Sequence, residues 1–129
     1  MILLDTNILI EIYRDNVTIA TAVDYIQEVA VCDVVRAELF YGARNKRELL
    51  EITTDLEGLT VLSILPQISE MAVNLVKNYC LSHKLEFADA LIAATAIFHN
   101  VELFTLNRKD FVFIPNLKLY EPNKTPTPN

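Results

Sequence analysis

The sequence predicts a single α/β domain with a central parallel sheet flanked by helices on both faces. The first observation is Met1-Ile2-Leu3-Leu4, a short and wholly apolar run that ends at Asp5. Strands buried on both faces of a parallel sheet show this pattern. The second is the alternation of short β-branched runs with longer helical patterns, which is typical of such sheets. The third is the length of 129 residues, the size of one ordinary domain.

The individual elements follow from local patterns along the chain. The segments predicted as strands are residues 1–4, 29–32, 59–64, 101–105 and 117–120. The segments predicted as helices are residues 8–14, 18–28, 34–54, 66–83 and about 87–99. Asp33 is a good cap for the third helix, which Gly42 is expected to bend or divide. We expect residues 1–120 to form the domain and the Pro-containing residues 121–129 to form a flexible tail.

Composition and charge exclude several classes of protein. Hydrophobic residues make up 52% of the chain, enough for a core, yet no apolar run approaches the ~20 residues that span a bilayer. The N-terminus lacks the basic region of a signal peptide, so a cytoplasmic protein is expected. The net charge of −6 disfavours a general nucleic-acid coat, because phosphate binding uses Lys and Arg. Cys32 and Cys80 lack a CxxC spacing and are expected to be buried free thiols.

Asp89 is the most informative residue. It is the only charged residue between Phe87 and Phe98, in a stretch that is rich in helix formers and apolar almost all round. This pattern predicts a buried helix. A buried carboxylate without a partner is so costly that its pKa shifts until it is neutral, unless a salt bridge, a helix N-terminus or a cation offsets the cost. The alternative is that Asp89 caps a helix that begins near Ala90.

Three further acids lie in apolar or turn surroundings. Asp5 closes the first strand, where open α/β sheets bind ligands, although it could equally cap the next helix. Glu38 lies one to two turns into a later helix, and its apolar flanks suggest a semi-buried position rather than a solvated one. Asp110 follows a strand in the segment 105–111, and its alternative is an ordinary polar turn.

Carboxylates without His or Cys partners suit hard cations such as Mg²⁺ or Mn²⁺. Thr105 and Asn107, close to Asp110 in the sequence, could hold a water or a cation through neutral oxygens. Sites of this chemistry commonly catalyse reactions at phosphorus. His83 and His99 lie apart in the sequence, and each is expected at a helix end rather than in a catalytic pair.

Four segments, in this order, resemble the motifs of the PIN-domain family, most closely its short bacterial and archaeal members, the VapC-type toxins. The segments are residues 3–10 (LLDTNILI), 38–43 (ELFYGA), 89–96 (DALIAATA) and 105–111 (TLNRKDF). The third is the most specific, and the match covers the chain up to the tail. The resemblance implies a PIN-like fold and a Mg²⁺- or Mn²⁺-dependent endoribonuclease, the toxin of a type II toxin–antitoxin pair.

The resemblance also implies roles for individual residues. Asp5, Glu38 and Asp89 carry over as catalytic, metal-binding acids. The fourth motif departs from the family pattern, because many relatives place an acid where Asn107 stands. Asn107 and Asp110 are therefore joint candidates to complete the catalytic site.

Substrate and partners are implied in the same way. Thr6, through its hydroxyl, and Arg108, beside the fourth motif, are expected at the RNA substrate. The family implies a homodimer and a cognate antitoxin that blocks the site, and it implies no membrane. Ile12, Tyr13, Phe40 and Tyr41 are candidates for a subunit or antitoxin interface, with core packing as the alternative.

Other functions fit the residues less well. A haloacid-dehalogenase-like phosphatase needs a second acid two residues after the first, and position 7 is Asn7. A receiver domain needs an acidic pair near the first strand and a late Lys in suitable context. The strongest rival is a PIN-fold binding or scaffold module without catalysis, and the retention of Asp5, Glu38 and Asp89 speaks against it.

Overall fold

Within residues 1–122, four short parallel strands form one sheet, in the order β3-β2-β1-β4. The computed structural model describes residues 1–122, so residues 123–129 of the predicted tail lie outside the described residues. The strands are β1 (Ile2–Leu4), β2 (Val29–Cys32), β3 (Thr60–Leu62) and β4 (Glu102–Phe104). Strand β1 lies inside the sheet and is buried along its whole length, as its unbroken apolar run predicts.

The helices are long compared with the strands. They are α1 (Thr6–Tyr13), α2 (Val17–Asp24), α3 (Asp33–Tyr41), α4 (Lys46–Glu57), α5 (Pro66–His83) and α6 (Phe87–His99), followed by a 3₁₀ helix at Arg108–Asp110. The chain steps from β1 through β2 to β3 and then returns to the opposite edge at β4. Helix α1 packs against α2 and α3, α3 also packs against α4 and α6, and α5 packs against α6. Within residues 1–122, no helix is both long and apolar enough to cross a bilayer.

Several predicted boundaries move for local reasons. Helix α1 begins at Thr6 rather than Ile8, because the Asp5 side chain accepts a hydrogen bond from the Thr6 N–H at 2.8 Å. The predicted helix 34–54 is divided, and α4 starts after Asn45, whose side chain accepts from the Glu48 N–H at 2.9 Å. The predicted strand 117–120 is reduced to one isolated bridge between Leu103 and Leu119.

The prediction that Asp33 caps α3 is wrong, because α3 already begins at Asp33 and the side chain bonds elsewhere. One carboxylate oxygen accepts from the Ile64 N–H at 3.0 Å, and the other accepts from the Arg36 guanidinium at 3.1 Å. Asp33 therefore ties the segment after β3 to the start of α3. That tie crosses 31 residues of chain, which local capping rules do not detect.

Asp33→Ala should lower the free energy of unfolding by about 1–2 kcal/mol, because the Ile64 N–H loses its acceptor in a partly buried position. Asp33→Asn keeps an oxygen acceptor and should lose less. Urea denaturation of the two variants beside the unchanged protein measures both effects. An equal loss in the two variants would assign the effect to the Asp33 charge and its pair with Arg36.

Helix α6 is buried from Ala90 to Ala96, which confirms the predicted apolar helix. Its buried face is rich in alanine, so the helix can lie close to α5 and to the core. His83 and His99 are the last residues of α5 and α6, as predicted. Both cysteines were expected to be buried; Cys32 is, but Cys80 is exposed.

Candidate active site

The site is built where β1 and β4 end side by side. Leu4 pairs with Phe104 in the parallel ladder, and the Asp5 N–H continues it by donating to the Phe104 carbonyl at 3.0 Å. The next residues, Asp5 and Thr105, are therefore neighbours, and the Thr105 hydroxyl donates to Asp5 Oδ2 at 2.7 Å. Asp5 is 6% exposed and Thr105 is 4% exposed. A buried carboxylate thus lies at the carboxyl edge of the sheet, where α/β proteins bind ligands.

The alternative that Asp5 caps the next helix is confirmed, and its second carboxylate oxygen is bonded at the carboxyl edge of the sheet. Its Oδ1 accepts from the Thr6 N–H and caps α1, while its Oδ2 accepts from Thr105 and, at 3.3 Å, from the Asn7 side-chain amide. Burial raises the pKa of Asp5 above its ordinary value, although the bonds from Thr105 and Thr6 act in the opposite direction and the charge of Glu38 adds to the rise. The hydrogen bonds from these donors stabilise the ionised form of the buried Asp5 carboxylate.

Glu38 reaches the same edge from α3. The Thr6 hydroxyl donates to Glu38 Oε1 at 2.7 Å, across 32 residues of chain. Contrary to the semi-buried position predicted from its flanks, Glu38 is exposed. The apolar neighbours mislead because Leu39 faces the core while Glu38, the next residue around the helix, faces solvent. Thr6 thereby connects the start of α1 to an acid on α3.

Asp89 lies in the first turn of α6, which begins at Phe87. The alternative that Asp89 caps a helix starting near Ala90 is wrong, because the N-cap position belongs to Glu86 and no side chain caps that end. Full burial was also overstated, since Asp89 is only partly buried. The N-terminus of α6 offsets part of the cost of burying the Asp89 charge, because its partial positive charge favours an acid in the first turn.

Among residues 1–122, no cationic side chain contributes to the pKa shift of Asp89. Burial is the largest cause that raises its pKa, to about 6, and the negative charges of Asp5, Asp110, Glu38 and Glu86 raise it further, in that order. Four acids from separate parts of the chain therefore act on Asp89 within one electrostatic environment. The structure brings together the carboxylates singled out from the sequence, and Glu86 was not among them.

Asp110 and Asn107 lie in the segment of residues 105–110 that follows β4, here called the β4 loop, which is exposed from Leu106 onward. The Asn107 N–H donates to the Thr105 hydroxyl at 3.1 Å, which fixes the start of the loop to the buried site. Asp110 lies at the end of the 3₁₀ helix, and its charge reaches Asp89. The choice between Asn107 and Asp110 as the completing residue stays a prediction.

Arg108 is held by the end of the described chain. Its guanidinium donates to the Tyr120 carbonyl at 3.3 Å and to Glu121 at 3.2 Å. Every arginine of the chain forms an ion pair with an acid, at N···O distances between 2.7 and 3.9 Å. These arginines are Arg14, Arg36, Arg44, Arg47 and Arg108. The arginine charge of the protein is thus largely engaged with acids other than those around Asp89.

Asn7 is a residue that the sequence reasoning passed over. Its amide contacts Asp5 and Thr105, and its Oδ1 accepts from the Leu106 N–H at 3.2 Å. The available signal was its position, two residues after the acid that ends the first strand. Asn7 also lies within the first motif, residues 3–10, where the resemblance assigns it no role.

The donor chemistry fits a hard divalent ion. Carboxylates dominate, the Thr6 and Thr105 hydroxyls lie beside them, and burial raises the pKa of the nearby Cys32 thiol to about 11, so that the thiol stays protonated near neutral pH. Among residues 1–122, no three His, Cys, Asp or Glu side chains form a ready-made cluster around one point. Mg²⁺ does not need one, because it keeps several waters and is commonly held by one or two carboxylates.

A cleft of about 530 Å³ opens beside the acids and shares Glu38 with them. Residues of α1, α3 and α4 line it, and apolar and charged side chains alternate. The lining residues are Ile10, Tyr13, Arg14, Glu38, Leu39, Gly42, Arg44, Glu48, Glu51 and Ile52. Because Glu38 belongs to both, anything bound in the cleft lies against the acid-lined edge.

This chain belongs to the PIN-domain family, whose sequence model, described as "PIN domain", matches residues 2–114. It is 30% identical over 123 residues to the "Ribonuclease VapC19" of Mycobacterium tuberculosis, which covers 92% of this chain and 98% of that relative. Among solved structures it is similar to a toxin–antitoxin complex from Klebsiella pneumoniae, with a TM-score of 0.80, 30% identity and coverage of 95% of this chain and 98% of that one. It is also similar to VapBC-1 from nontypeable Haemophilus influenzae, with a TM-score of 0.79, 27% identity and coverage of 96% and 100%. The predicted fold and the predicted family resemblance are confirmed.

Proposed function

We propose that this protein is a metal-dependent endoribonuclease, the toxin of a type II toxin–antitoxin pair. One observation carries the proposal: the charges of Asp5, Asp110 and Glu38 raise the pKa of Asp89, and the charge of Glu38 raises the pKa of Asp5, so acids from separate elements act on one another at the carboxyl edge of the sheet. The ribonuclease named among its relatives and the toxin–antitoxin complexes named among similar structures support the reaction and its setting.

In this proposal Asp5, Glu38 and Asp89 hold Mg²⁺ or Mn²⁺, and Asn107 and Asp110 complete the site. When bound, the ion supplies the counter-charge that the acids lack and the Lewis acidity that phosphodiester hydrolysis needs. RNA is cut to leave a 5′-phosphate and a 3′-hydroxyl, as the family resemblance predicts.

Neutral side chains position the acids. Thr105 donates to Asp5 Oδ2, which fixes the carboxylate at the end of β1. The Thr6 hydroxyl donates to Glu38 Oε1. Because Thr6 directly follows Asp5 in the chain, this bond holds Glu38 close to Asp5. Hydrogen bonds of this kind favour the ionised carboxylate, the form that binds a cation.

The direct test is cleavage of structured RNA by protein purified free of antitoxin. We expect cleavage with Mn²⁺, none with EDTA, and none by Asp5→Asn with Mn²⁺. Asp24→Asn, the same change at an exposed position at the end of α2, is the matched control and should cleave normally. Equal cleavage in all samples would identify a contaminating nuclease. No cleavage of any RNA, together with no Mn²⁺ binding by calorimetry, would favour the binding or scaffold module instead.

We also propose a cognate antitoxin and a homodimer as partners, in the cytoplasm. The cleft beside Glu38 suits an antitoxin segment, because an occupant there would contact one of the proposed catalytic acids. Of the four interface candidates, Tyr41 is 94% exposed and Tyr13 is 42% exposed, whereas Ile12 and Phe40 pack against the core. Light scattering of the isolated protein, with a second run after Tyr41→Ser, measures the dimer and the part Tyr41 plays in it.

Arg108→Gln should raise KM for RNA about 3- to 10-fold and leave kcat nearly unchanged, because one phosphate contact contributes on the order of 1 kcal/mol to substrate binding. Since Arg108 is half-exposed and paired with Glu121, its release from that acid is part of binding. Arg47→Gln, at an exposed arginine paired with Glu51 on α4, is the control and should leave KM unchanged. Equal KM values for Arg108→Gln and the unchanged protein would show that Arg108 does not contact the RNA and serves only to bind Tyr120 and Glu121.

A further inference from the structure

The side chain of Asn7 spans two loops at the acid-lined edge. Its Nδ2 lies 3.3 Å from Asp5 Oδ2 and 3.4 Å from the Thr105 hydroxyl, and its Oδ1 accepts from the Leu106 N–H at 3.2 Å. The orientation of the amide is unambiguous. The opposite orientation would set the amide oxygen against the carboxylate of Asp5 and the NH₂ group against another N–H.

The β4 loop has few other ties to the acids. Within it, the Asp110 N–H donates to the Asn107 carbonyl, which shapes the loop without placing it. Arg108 holds it to Tyr120 and Glu121, on the side of the chain end. On the side of the acids, Thr105 and Asn7 make the hydrogen bonds within residues 1–122. Of these two side chains, Asn7 reaches past Thr105 to the backbone of Leu106.

From this geometry we infer that Asn7 is a positioning residue, which holds the β4 loop against Asp5 and so sets the placement of Asn107 and Asp110 for the reaction. The inference rests on the proposed function of the site and adds a residue to it. Asn7 does its work through Asp5 and Leu106 and has no contact with substrate of its own. Partners of this kind, which orient the groups that bind an ion, commonly change activity or metal affinity by about 10- to 100-fold when removed.

The position needs an amide for two separate reasons. The oxygen serves the Leu106 N–H, and the NH₂ group serves the carboxylate of Asp5. Asp at this position would keep the oxygen but would place a further negative charge 3.3 Å from Asp5 Oδ2, where the amide nitrogen now lies. Ala would remove both functions. The two variants therefore separate the tie to the loop from the support of Asp5.

The test combines amide hydrogen exchange with steady-state cleavage of RNA. In EDTA, Asn7→Ala should speed exchange of the Leu106 amide on the order of 10-fold, the loss of one hydrogen bond, and Asn7→Asp should restore the slow exchange. With Mn²⁺, Asn7→Ala should lower kcat by about 10- to 100-fold at a nearly constant KM. Asn7→Asp should not restore kcat, because the charge beside Asp5 disturbs the ion site.

Asn16→Ala is the matched control. Asn16 also accepts from a backbone N–H, that of Ile19 at 3.2 Å, but it does so at the N-terminus of α2, away from the acids. It should speed exchange at Ile19 and leave kcat unchanged. Unchanged exchange at Leu106 in Asn7→Ala overturns the inference, and so does faster exchange with an unchanged kcat. If the unchanged protein cleaves no RNA, the proposed function fails and the positioning role with it, whereas the exchange result still decides whether Asn7 holds the loop.

Discussion

Asp89→Asn is expected to abolish RNA cleavage while it stabilises the ion-free protein. The carboxylate lies in a half-buried first turn, and four other acids push its pKa upward to about 6 together with burial. Removal of that charge takes away a ligand of the proposed ion, which should lower kcat by about 10²- to 10⁴-fold. It also removes the electrostatic repulsion between Asp89 and the neighbouring acids, which is present in the folded state and not in the unfolded chain. Above about pH 7 the gain should be roughly 1–2 kcal/mol, after allowance for solvent screening of a partly exposed group.

Two measurements check this result. Cleavage with Mn²⁺ gives kcat, and urea denaturation in EDTA at about pH 8 gives the free energy of unfolding. Asp24→Asn, an exposed acid outside the site, should change neither quantity. A strong loss of stability in ion-free Asp89→Asn would show that Asp89 is a structural residue of the α6 N-terminus, and the explanation by a shared cation would then be wrong.

The stability of the ion-free protein should fall as pH rises from about 4 to about 7, and a divalent ion should restore it. The sign follows from proton binding. The pKa of Asp89 is raised from 3.8 to about 6 in the folded protein, so in that window the folded state binds more protons than the unfolded state, and rising pH favours unfolding. The raised pKa of Asp5 acts in the same direction. In the proposed site an ion binds the acids of the folded state alone, so Mn²⁺ at 100 times its Kd should add about 2.7 kcal/mol to the free energy of unfolding.

Thermal melts at pH values from about 4 to about 8, with EDTA or with Mn²⁺, measure both effects. Other groups also titrate in this range, so the decisive quantity is the difference in Tm between the unchanged protein and Asp89→Asn in EDTA. That difference should grow with pH and then level off above about pH 7. A difference that is independent of pH would mean that Asp89 ionises normally in the folded protein. If neither Mn²⁺ nor Mg²⁺ raised Tm, the proposal that these acids bind a divalent ion would be contradicted.

The order of the strands and helices was predictable because it depends on local patterns. Unbroken apolar runs mark buried parallel strands, and the alternation with helical segments predicts the layered architecture that the structure shows. Part of the site was predictable for the same reason. Parallel strands end at one edge, so Asp5 after β1 and the polar residues after β4 had to be near one another. Asp89 drew attention because a single acid interrupted an apolar helix.

The predictions that were wrong concern which way a side chain faces and what it meets across the fold. Flanking residues suggested a semi-buried Glu38, yet rotation around α3 turns it to solvent. Asp33 looked like a helix cap, but its acceptors serve Ile64 and Arg36. Capping rules consider only a few residues on either side, and the competing donor of Asp33 lies 31 residues away.

By itself, the sequence determined the fold class, the family and the acids that a cation would need, because each of these can be recognised from short runs of residues. Only the tertiary structure decided what surrounds those acids. The pairing of Leu4 with Phe104 places Asn7 between Asp5 and the backbone of Leu106, and it places Thr105 against Asp5 across 100 residues of chain. The same folding joins Arg108 to Glu121, whereas the other four arginines pair with acids only three or four residues away. Strand register and contacts between distant segments are properties of segments brought together in space, so no local pattern could contain them.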